Sequence, residues 1–249
     1  MALDVSGIIF SYALTLSLGV FLKIGYGYWT QQRPSNKLFG DVAKDSKCII
    51  MLSSLMLNQK LLQISKNYPF VKGKAKVHWH PLLKFTGEGD SECLSYIYAL
   101  LNKANIKEIE MLTDDEVPKD DWGTNYICIG GGASNYKSRK LLDVSEPFYK
   151  FEVTPQTYGN AIESANGTRK WQPKSNEDFG MIQKLKLNNK TMFLFAGLGP
   201  IATAGSGYYL LNNWKNIVKR AGSSEFGILL KFDIVRMKQL PEEIDFIKR

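Results

Sequence analysis

The 249-residue chain has few residues of the kinds that hold small or metal-dependent proteins together. Its three cysteines, Cys48, Cys93 and Cys128, are odd in number and widely spaced in apolar surroundings, which argues against a disulfide framework. The two histidines, His78 and His80, would lie on one side of a strand, but no third ligand follows at a spacing typical of zinc sites. We expect buried thiols, a reducing compartment and no metal.

The sequence also lacks several motifs that would assign a function class. It contains no internal repeat, no low-complexity tract and no GxxxxGK[ST] loop, which argues against repeat proteins and P-loop NTPases. Its aromatic residues do not alternate with basic ones, so a nucleic-acid partner is not indicated. With 44% hydrophobic and 22% charged residues, the composition is that of a folded globular protein.

Charge is scarce at the N-terminus. The 18 residues from Val5 to Leu22 carry none, and only Lys23 interrupts the run before Trp29. A helix over residues 5–29 would be about 37 Å long, which exceeds the roughly 30 Å of a hydrocarbon core. The sequence therefore predicts a transmembrane anchor over residues 1–29 that contacts the lipid bilayer through residues 5–29. The alternatives are a cleaved signal peptide and a buried helix of a soluble domain.

The charges flanking this run predict its orientation. One charged residue, Asp4, precedes it, whereas five basic residues follow it. These are Lys23, Arg33, Lys37, Lys44 and Lys47. The positive-inside rule then places the N-terminus outside and the C-terminal domain in the cytoplasm. Since Asp4 and Lys23 cancel, the formal charge of +8 belongs to residues 30–249 and suggests an anionic partner.

Small residues within the predicted span favour close helix–helix contact, so we also expect homo-oligomers. They are Gly7, Ser11, Ser17 and Gly19.

The remainder of the chain divides into a polar linker, residues 30–47, and one domain, residues 48–249. Apolar runs typical of buried strands alternate with helical patterns, which predicts an α/β fold with a largely parallel sheet. Asn188, Asn189 and Lys190 separate two strand-like runs, so an antiparallel hairpin is expected there. Residues 154–178 are predicted to form a long loop or an irregular hairpin, and the residues after 235 a polar tail.

Two segments combine an apolar strand, a glycine-rich turn and a helix start. Such turns bring backbone N–H groups close to an anion, and the helix dipole favours phosphate. The predicted ligand-binding residues are Gly130, Gly131, Gly132, Ser134, Asn135, Lys137, Arg139, Gly197, Gly199, Thr203 and Ser206. The alternative is that the glycines form turns without a ligand and that Lys137 and Arg139 are solvated.

The order of strand, GGG, strand and Gly-x-Gly with a nearby Thr resembles SLOG-type Rossmannoid modules, which are related to the LOG and DprA/Smf proteins. It is more loosely similar to TIR-type domains of prokaryotic defence. The resemblance covers residues 48–235 and implies a Rossmann-like fold whose two turns hold the phosphates and ribose of a nucleotide. The residues it assigns to this role are Gly130, Gly131, Gly132, Ser134, Gly197, Gly199 and Thr203.

The helix after Gly207 lacks the acid of the family's hydrolytic members, so binding is favoured over catalysis. A membrane span joined to such a module resembles defence effectors in which a nucleotide signal triggers oligomerisation. The main expectation is therefore a membrane-anchored nucleotide sensor. One alternative is a hydrolase of NAD or nucleotide glycosidic bonds that uses Glu88 or Asp90 as its acid. Another is a structural membrane adaptor without a small-molecule ligand.

Overall fold

The computed structural model describes residues 5–27, 33–53, 55–56, 84–85, 87–118, 120–153, 158–235 and 241–249. Residues 57–68, whose apolar spacing predicts a helix, lie outside the described residues. So do residues 74–80, whose alternation predicts the strand that carries both histidines. The helices are α1 (Val5–Gly27), α2 (Arg33–Phe39), α3 (Asp41–Asp45), α4 (Glu88–Lys103), α5 (Tyr136–Val144) and α6 (Pro200–Ala221).

The first six strands are β1 (Lys47–Leu52), β2 (Leu55–Met56), β3 (Lys84–Phe85), β4 (Glu108–Thr113), β5 (Tyr126–Ile129) and β6 (Tyr149–Val153). The remaining strands are β7 (Tyr158–Ser164), β8 (Lys170–Trp171), β9 (Glu177–Leu187), β10 (Lys190–Gly197), β11 (Phe226–Asp233) and β12 (Glu242–Lys248).

A seven-stranded sheet with the order β12-β11-β9-β10-β5-β1-β4 forms the centre of the fold. The four strands from β10 to β4 pair in parallel, and the other three pairings are antiparallel. Five of the seven strands therefore point in one direction, which confirms the predicted α/β class and largely parallel sheet. The predicted hairpin joins β9 to β10, and positive φ angles of 50° at Asn188 and 59° at Asn189 are typical of its two-residue turn.

Two segments differ from the expectations. The apolar alternation of residues 147–153 predicts a strand, which forms as β6. This strand pairs with β7 in a separate three-stranded antiparallel sheet and does not join the central sheet. The predicted polar tail instead forms β12, which pairs with β11 at the sheet edge. Phe246 of β12 stacks on Phe226 with ring centroids 6.1 Å apart. This contact between residues distant in sequence holds β12, a largely polar segment, against the sheet.

Each face of the sheet is covered by its own apolar layer. Alternation along β10 sends Phe193 and Phe195 into the layer with α2, α4 and α6, whereas Met192 and Leu194 join the layer with α5 and the small sheet. All four side chains are buried. The middle strands are therefore apolar on both sides, and polar groups concentrate where these strands end.

Residues 33–45, which the sequence assigned to a linker, form α2 and α3 and pack on the domain. Leu38, Phe39 and Val42 belong to the core. The ammonium of the buried Lys184 donates hydrogen bonds of 3.0 Å to the carbonyl oxygens of both Lys37 and Ser223. Burial lowers the pKa of Lys184 to about 8. The folded domain thus begins before Cys48. The sequence did not indicate this start, because the few apolar residues of this segment are surrounded by polar ones.

Helix α1 spans residues 5–27 of the membrane anchor, which the sequence predicts over residues 1–29. Its apolar side chains after residue 15 are exposed; Phe21, for example, keeps 73% of its surface accessible. No helix within the described residues combines the length and apolar character that a membrane crossing requires. The anchor therefore stays a prediction of the sequence.

Candidate functional site

The two glycine segments lie at the same edge of the central sheet. Strands β5 and β10 are parallel neighbours, so the turns that follow them meet where both strands end. The N–H of Gly130 donates to the carbonyl oxygen of Phe195 at 2.9 Å. A β-carbon placed on Gly131 would lie 3.1 Å from the carbonyl oxygen of Gly197. The structure therefore brings the two segments together, as the parallel strand order predicts.

In the second segment, a carboxylate of the chain occupies the amide donors. Asp178 is buried and accepts hydrogen bonds from the N–H groups of Phe179, Gly199 and Ala202 at 2.8, 3.1 and 3.2 Å. A β-carbon on Gly199 would lie 2.7 Å from Asp178 Oδ2, so only glycine fits. Burial raises the pKa of Asp178, and the three N–H donors act in the opposite direction. Asp178 thus takes the place predicted for a ligand phosphate.

The hydroxyl groups of the second segment also bond internally. Thr203 Oγ1 accepts from the N–H of Gly197 at 3.0 Å and donates to the carbonyl oxygen of Gly199 at 3.3 Å. The buried Ser206 hydroxyl donates to the carbonyl oxygen of Ala202 at 2.8 Å. Thr203 and Ser206 therefore fix the turn and the first turns of α6, and we leave them out of the proposed ligand contacts.

In the first segment, Asn135 joins three elements. Its Oδ1 accepts from the N–H of Ser138 at 3.0 Å and caps α5. Its Nδ2 donates to the carbonyl oxygen of Ile129 at 2.8 Å and to that of Met51 at 3.3 Å. Because Asn135 is fully buried, its part in the site is to hold the ends of β1 and β5 together.

The two predicted cations take different positions. Lys137 is fully buried; its ammonium donates to the carbonyl oxygens of Pro118 and Asp121 and lies 4.0 Å from the centre of the Trp122 ring. Burial lowers the pKa of Lys137. Arg139 is half-buried, and its Nε donates to the carbonyl oxygen of Gly132 at 2.9 Å. Of the two, only Arg139 contacts the glycine turn, and Lys137 is left out of the proposed site.

A polar cluster that sequence reasoning did not assemble lies against this turn. The Ser53 hydroxyl, directly after β1, donates to Asp90 Oδ2 at 2.6 Å and lies 3.2 Å from the Ser134 hydroxyl. Gly130 has a φ of +105°, and a β-carbon there would lie 2.4 Å from Ser53 Oγ. We call Ser53, Asp90, Ser134 and Gly130 the edge cluster. A polar residue directly after a buried parallel strand was the signal that could have indicated Ser53.

Asp90 gives the edge cluster its chemistry. Gly87 occupies the N-cap of α4, and Asp90 faces Ser53 from the first turn of this helix. Asp90 keeps 8% of its surface accessible. Burial raises its pKa, and the Ser53 hydroxyl acts in the opposite direction. Its Oδ1 receives no hydrogen bond from the described residues, so it can accept one from a hydroxyl or N–H of a ligand.

The other groups considered from the sequence lie elsewhere. Glu88 is exposed and lines a groove beside α6. The acidic segment after β4 is also a candidate for acid–base chemistry by its carboxylates, but Asp115 and Glu116 accept from the Thr113 hydroxyl in an exposed turn. The three cysteines are free and buried, as expected, and burial raises the pKa of Cys48 and Cys128 to about 12. Within the described ranges, no group of three or more His, Cys, Asp and Glu residues could hold a metal ion.

Replacing Asp178 by asparagine should destabilise the domain by about 2 kcal/mol, because three buried N–H donors lose a charged acceptor. The amide nitrogen of asparagine would also face one of these donors. Urea unfolding of the full chain in detergent measures the effect, and the exposed Asp143→Asn variant is the matched control. Equal stability of the Asp178 and Asp143 variants would show that the carboxylate does not organise this turn.

No protein-family model matches the chain, and no curated protein matches it significantly. The resemblance to SLOG-type and TIR-type modules therefore rests on the order of the motifs and stays a prediction.

Proposed function

We propose that this chain is a single-pass membrane sensor whose cytoplasmic α/β domain binds a nucleotide at the edge cluster. The observation that carries the proposal is the position of Asp90 and Ser53. A partly accessible carboxylate and two hydroxyls lie beside a glycine turn, where parallel strands end and where open α/β sheets bind ligands. Non-catalytic binding is the main form of the proposal.

The chemistry of the edge cluster favours the ribose of the nucleotide over its phosphates. A carboxylate accepts hydrogen bonds from sugar hydroxyls, as an acidic residue does in dinucleotide-binding folds. The same carboxylate repels a phosphate, and the amide donors beside Gly199 are already bound to Asp178. The exposed Ser134 hydroxyl, which donates to the carbonyl oxygen of Gly131 at 3.2 Å, adds an acceptor. Arg139, beside Gly132, is the cation placed to meet a phosphate on the outer side of the turn.

The proposed membrane anchor is α1, with the bilayer as its partner through residues 5–29. The exposed apolar side chains of α1 favour contact with lipid over contact with water. Leu22 and Ile24, for example, are more than 60% accessible. In this arrangement the N-terminus is outside, and the basic domain faces the anionic cytoplasmic leaflet. Small residues in the anchor support homo-oligomers, the state in which a signal could be passed to the membrane.

A continuous helix supports coupling between the proposed site and the membrane-proximal helices. Helix α6 starts at the second glycine segment and is about 33 Å long. It ends before Ser223, whose carbonyl oxygen accepts from Lys184, and Lys184 also binds the last turn of α2. A ligand that shifts the N-terminal turn of α6 would therefore also act on α2.

One observation favours a second function, hydrolysis of a nucleotide glycosidic bond. Burial raises the pKa of Asp90, and a carboxyl group whose pKa is raised is better suited to donate a proton as a general acid. Asp90 would donate its proton to the departing base of a nucleoside monophosphate while water adds to the anomeric carbon and the glycosidic bond breaks. The proton that the water loses passes to solvent.

The anchor predicts that the full chain stays with membranes after alkaline carbonate extraction. A variant lacking residues 5–27 should appear in the supernatant, because the apolar helix is removed. A tag at the C-terminus should be inaccessible to antibody in intact cells. Extraction of the full chain by carbonate would contradict the anchor, and an accessible tag would contradict its orientation.

Ligand binding predicts that a ribonucleotide raises the melting temperature of the full chain in detergent. Its 2′,3′-dideoxy analogue should bind at least tenfold more weakly, because it lacks the hydroxyls that Asp90 would accept from. Asp90→Asn should reduce the preference for the ribonucleotide, and Asp143→Asn should leave it unchanged. If AMP, GMP, CMP and UMP all fail to shift the melting temperature, the sensor proposal is wrong and a tethered structural adaptor is favoured.

Hydrolysis with Asp90 as the acid predicts release of the base from a nucleoside monophosphate, measured by chromatography. The rate should fall as pH rises through the pKa of Asp90, because the acid must be protonated. Asp90→Asn should abolish turnover, whereas Asp143→Asn should not change it. Ligand binding without base release would favour the sensor over the hydrolase.

A further inference from the structure

A second concave surface lies between α4 and α6, separate from the edge cluster. It is a groove of about 680 Å³, lined among others by Glu88, Glu92, Tyr96, Pro200, Tyr208 and Phe232. Asp90 is two positions from both glutamates, and successive helical residues are about 100° apart. The groove therefore uses the side of α4 that faces away from Ser53.

Two glycines fix the walls of the groove. A β-carbon on Gly89 would lie 2.2 Å from the carbonyl oxygen of Pro200, so α4 and α6 are in close contact at their N-terminal ends. A β-carbon on Gly205 would lie 2.0 Å from the ring of Phe232, which brings α6 equally close to β11. These close contacts fix the spacing of α4, α6 and β11 around the groove.

The charge of the groove is opposite to that of the protein. Glu88 and Glu92 are exposed, lie one helical turn apart, and form no ion pair with another described residue. No Lys or Arg is present among the described lining residues. In a chain with a formal charge of +8, this is a local acidic surface that complements a cation.

The other half of the groove is aromatic. Tyr96 and Tyr208 meet edge to face with ring centroids 5.5 Å apart, and the buried Phe232 forms the floor. Tyr96 lies one turn beyond Glu92, about 6 Å along the helix axis. In an extended peptide, side chains two residues apart are separated by about 6.6 Å and point the same way. A basic and an apolar side chain at this spacing match the two halves of the groove.

We propose that the groove binds a short extended peptide of a partner protein with Arg or Lys two residues from a large apolar residue. The basic group pairs with Glu88 and Glu92, and the apolar side chain packs on Tyr96, Tyr208 and Phe232. From Glu88 to Tyr96 the groove follows eight residues of α4, about 12 Å, a length that about four extended residues fill. The proposal does not depend on nucleotide binding.

The test is calorimetric titration of the full chain in zwitterionic detergent at low ionic strength. The probes are the peptide acetyl-Ala-Arg-Ala-Leu-Ala-amide and the same peptide with citrulline, which keeps the shape of arginine without its charge. We expect the arginine peptide to bind at least tenfold more tightly. The double variant Glu88→Gln, Glu92→Gln should remove this difference, because it keeps the shape of the groove and removes its charge.

The matched control is Glu108→Gln, Glu110→Gln, which removes two exposed carboxylates from β4 at the far edge of the sheet. It should leave the preference for the arginine peptide unchanged. The proposal is overturned if both peptides bind equally, if neither binds at 1 mM, or if the control weakens binding as much as the groove variant. Displacement of the peptide by an equal concentration of spermidine would overturn it in favour of a small organic cation.

Discussion

The pairing of β5 between β1 and β10 is the constraint on which the proposed site depends. Three parallel strands end at one edge, and Asn135 holds two of these ends together through its side-chain amide. The backbone turns sharply after β5, and Gly130 has a positive φ angle that residues with a side chain rarely adopt. This packing brings Ser53 and Asp90 against the turn, although 37 residues separate them in the sequence.

An acidic side chain of the chain and a ligand anion would use the same backbone N–H donors at the start of α6. A helix start preceded by glycines attracts any carboxylate within reach, and Asp178 is close enough because β9 pairs with β10. Once this carboxylate is in place, a phosphate would have to displace a buried group with three hydrogen bonds. Asp90 keeps an accessible acceptor beside the first glycine turn, and in the proposed site this carboxylate favours hydroxyl-bearing ligands.

The two proposed binding surfaces lie on opposite faces of α4, and α6 extends from them towards α2. Asp90 faces the edge cluster, whereas Glu88 and Glu92 face the acidic groove. The N-terminal end of α6 lines the groove and follows the second glycine segment, which lies against Gly131. Its C-terminal end is close to the Lys184 ammonium that holds α2. In the proposed sensor, this helix is the element through which either ligand would influence the membrane-proximal segment.

The α/β class, the hairpin at Asn188 and Asn189, and the meeting of the two glycine turns were predictable, because periodicity and turn residues are local properties. The roles of Asp178, Lys137 and Asp90 were not. From the sequence, Lys137 was expected to meet a phosphate because it follows a glycine turn. The sequence does not show that its ammonium lies against the Trp122 ring instead. Which polar groups remain accessible is a result of burial and competing hydrogen bonds between distant residues, and only the tertiary structure determines it.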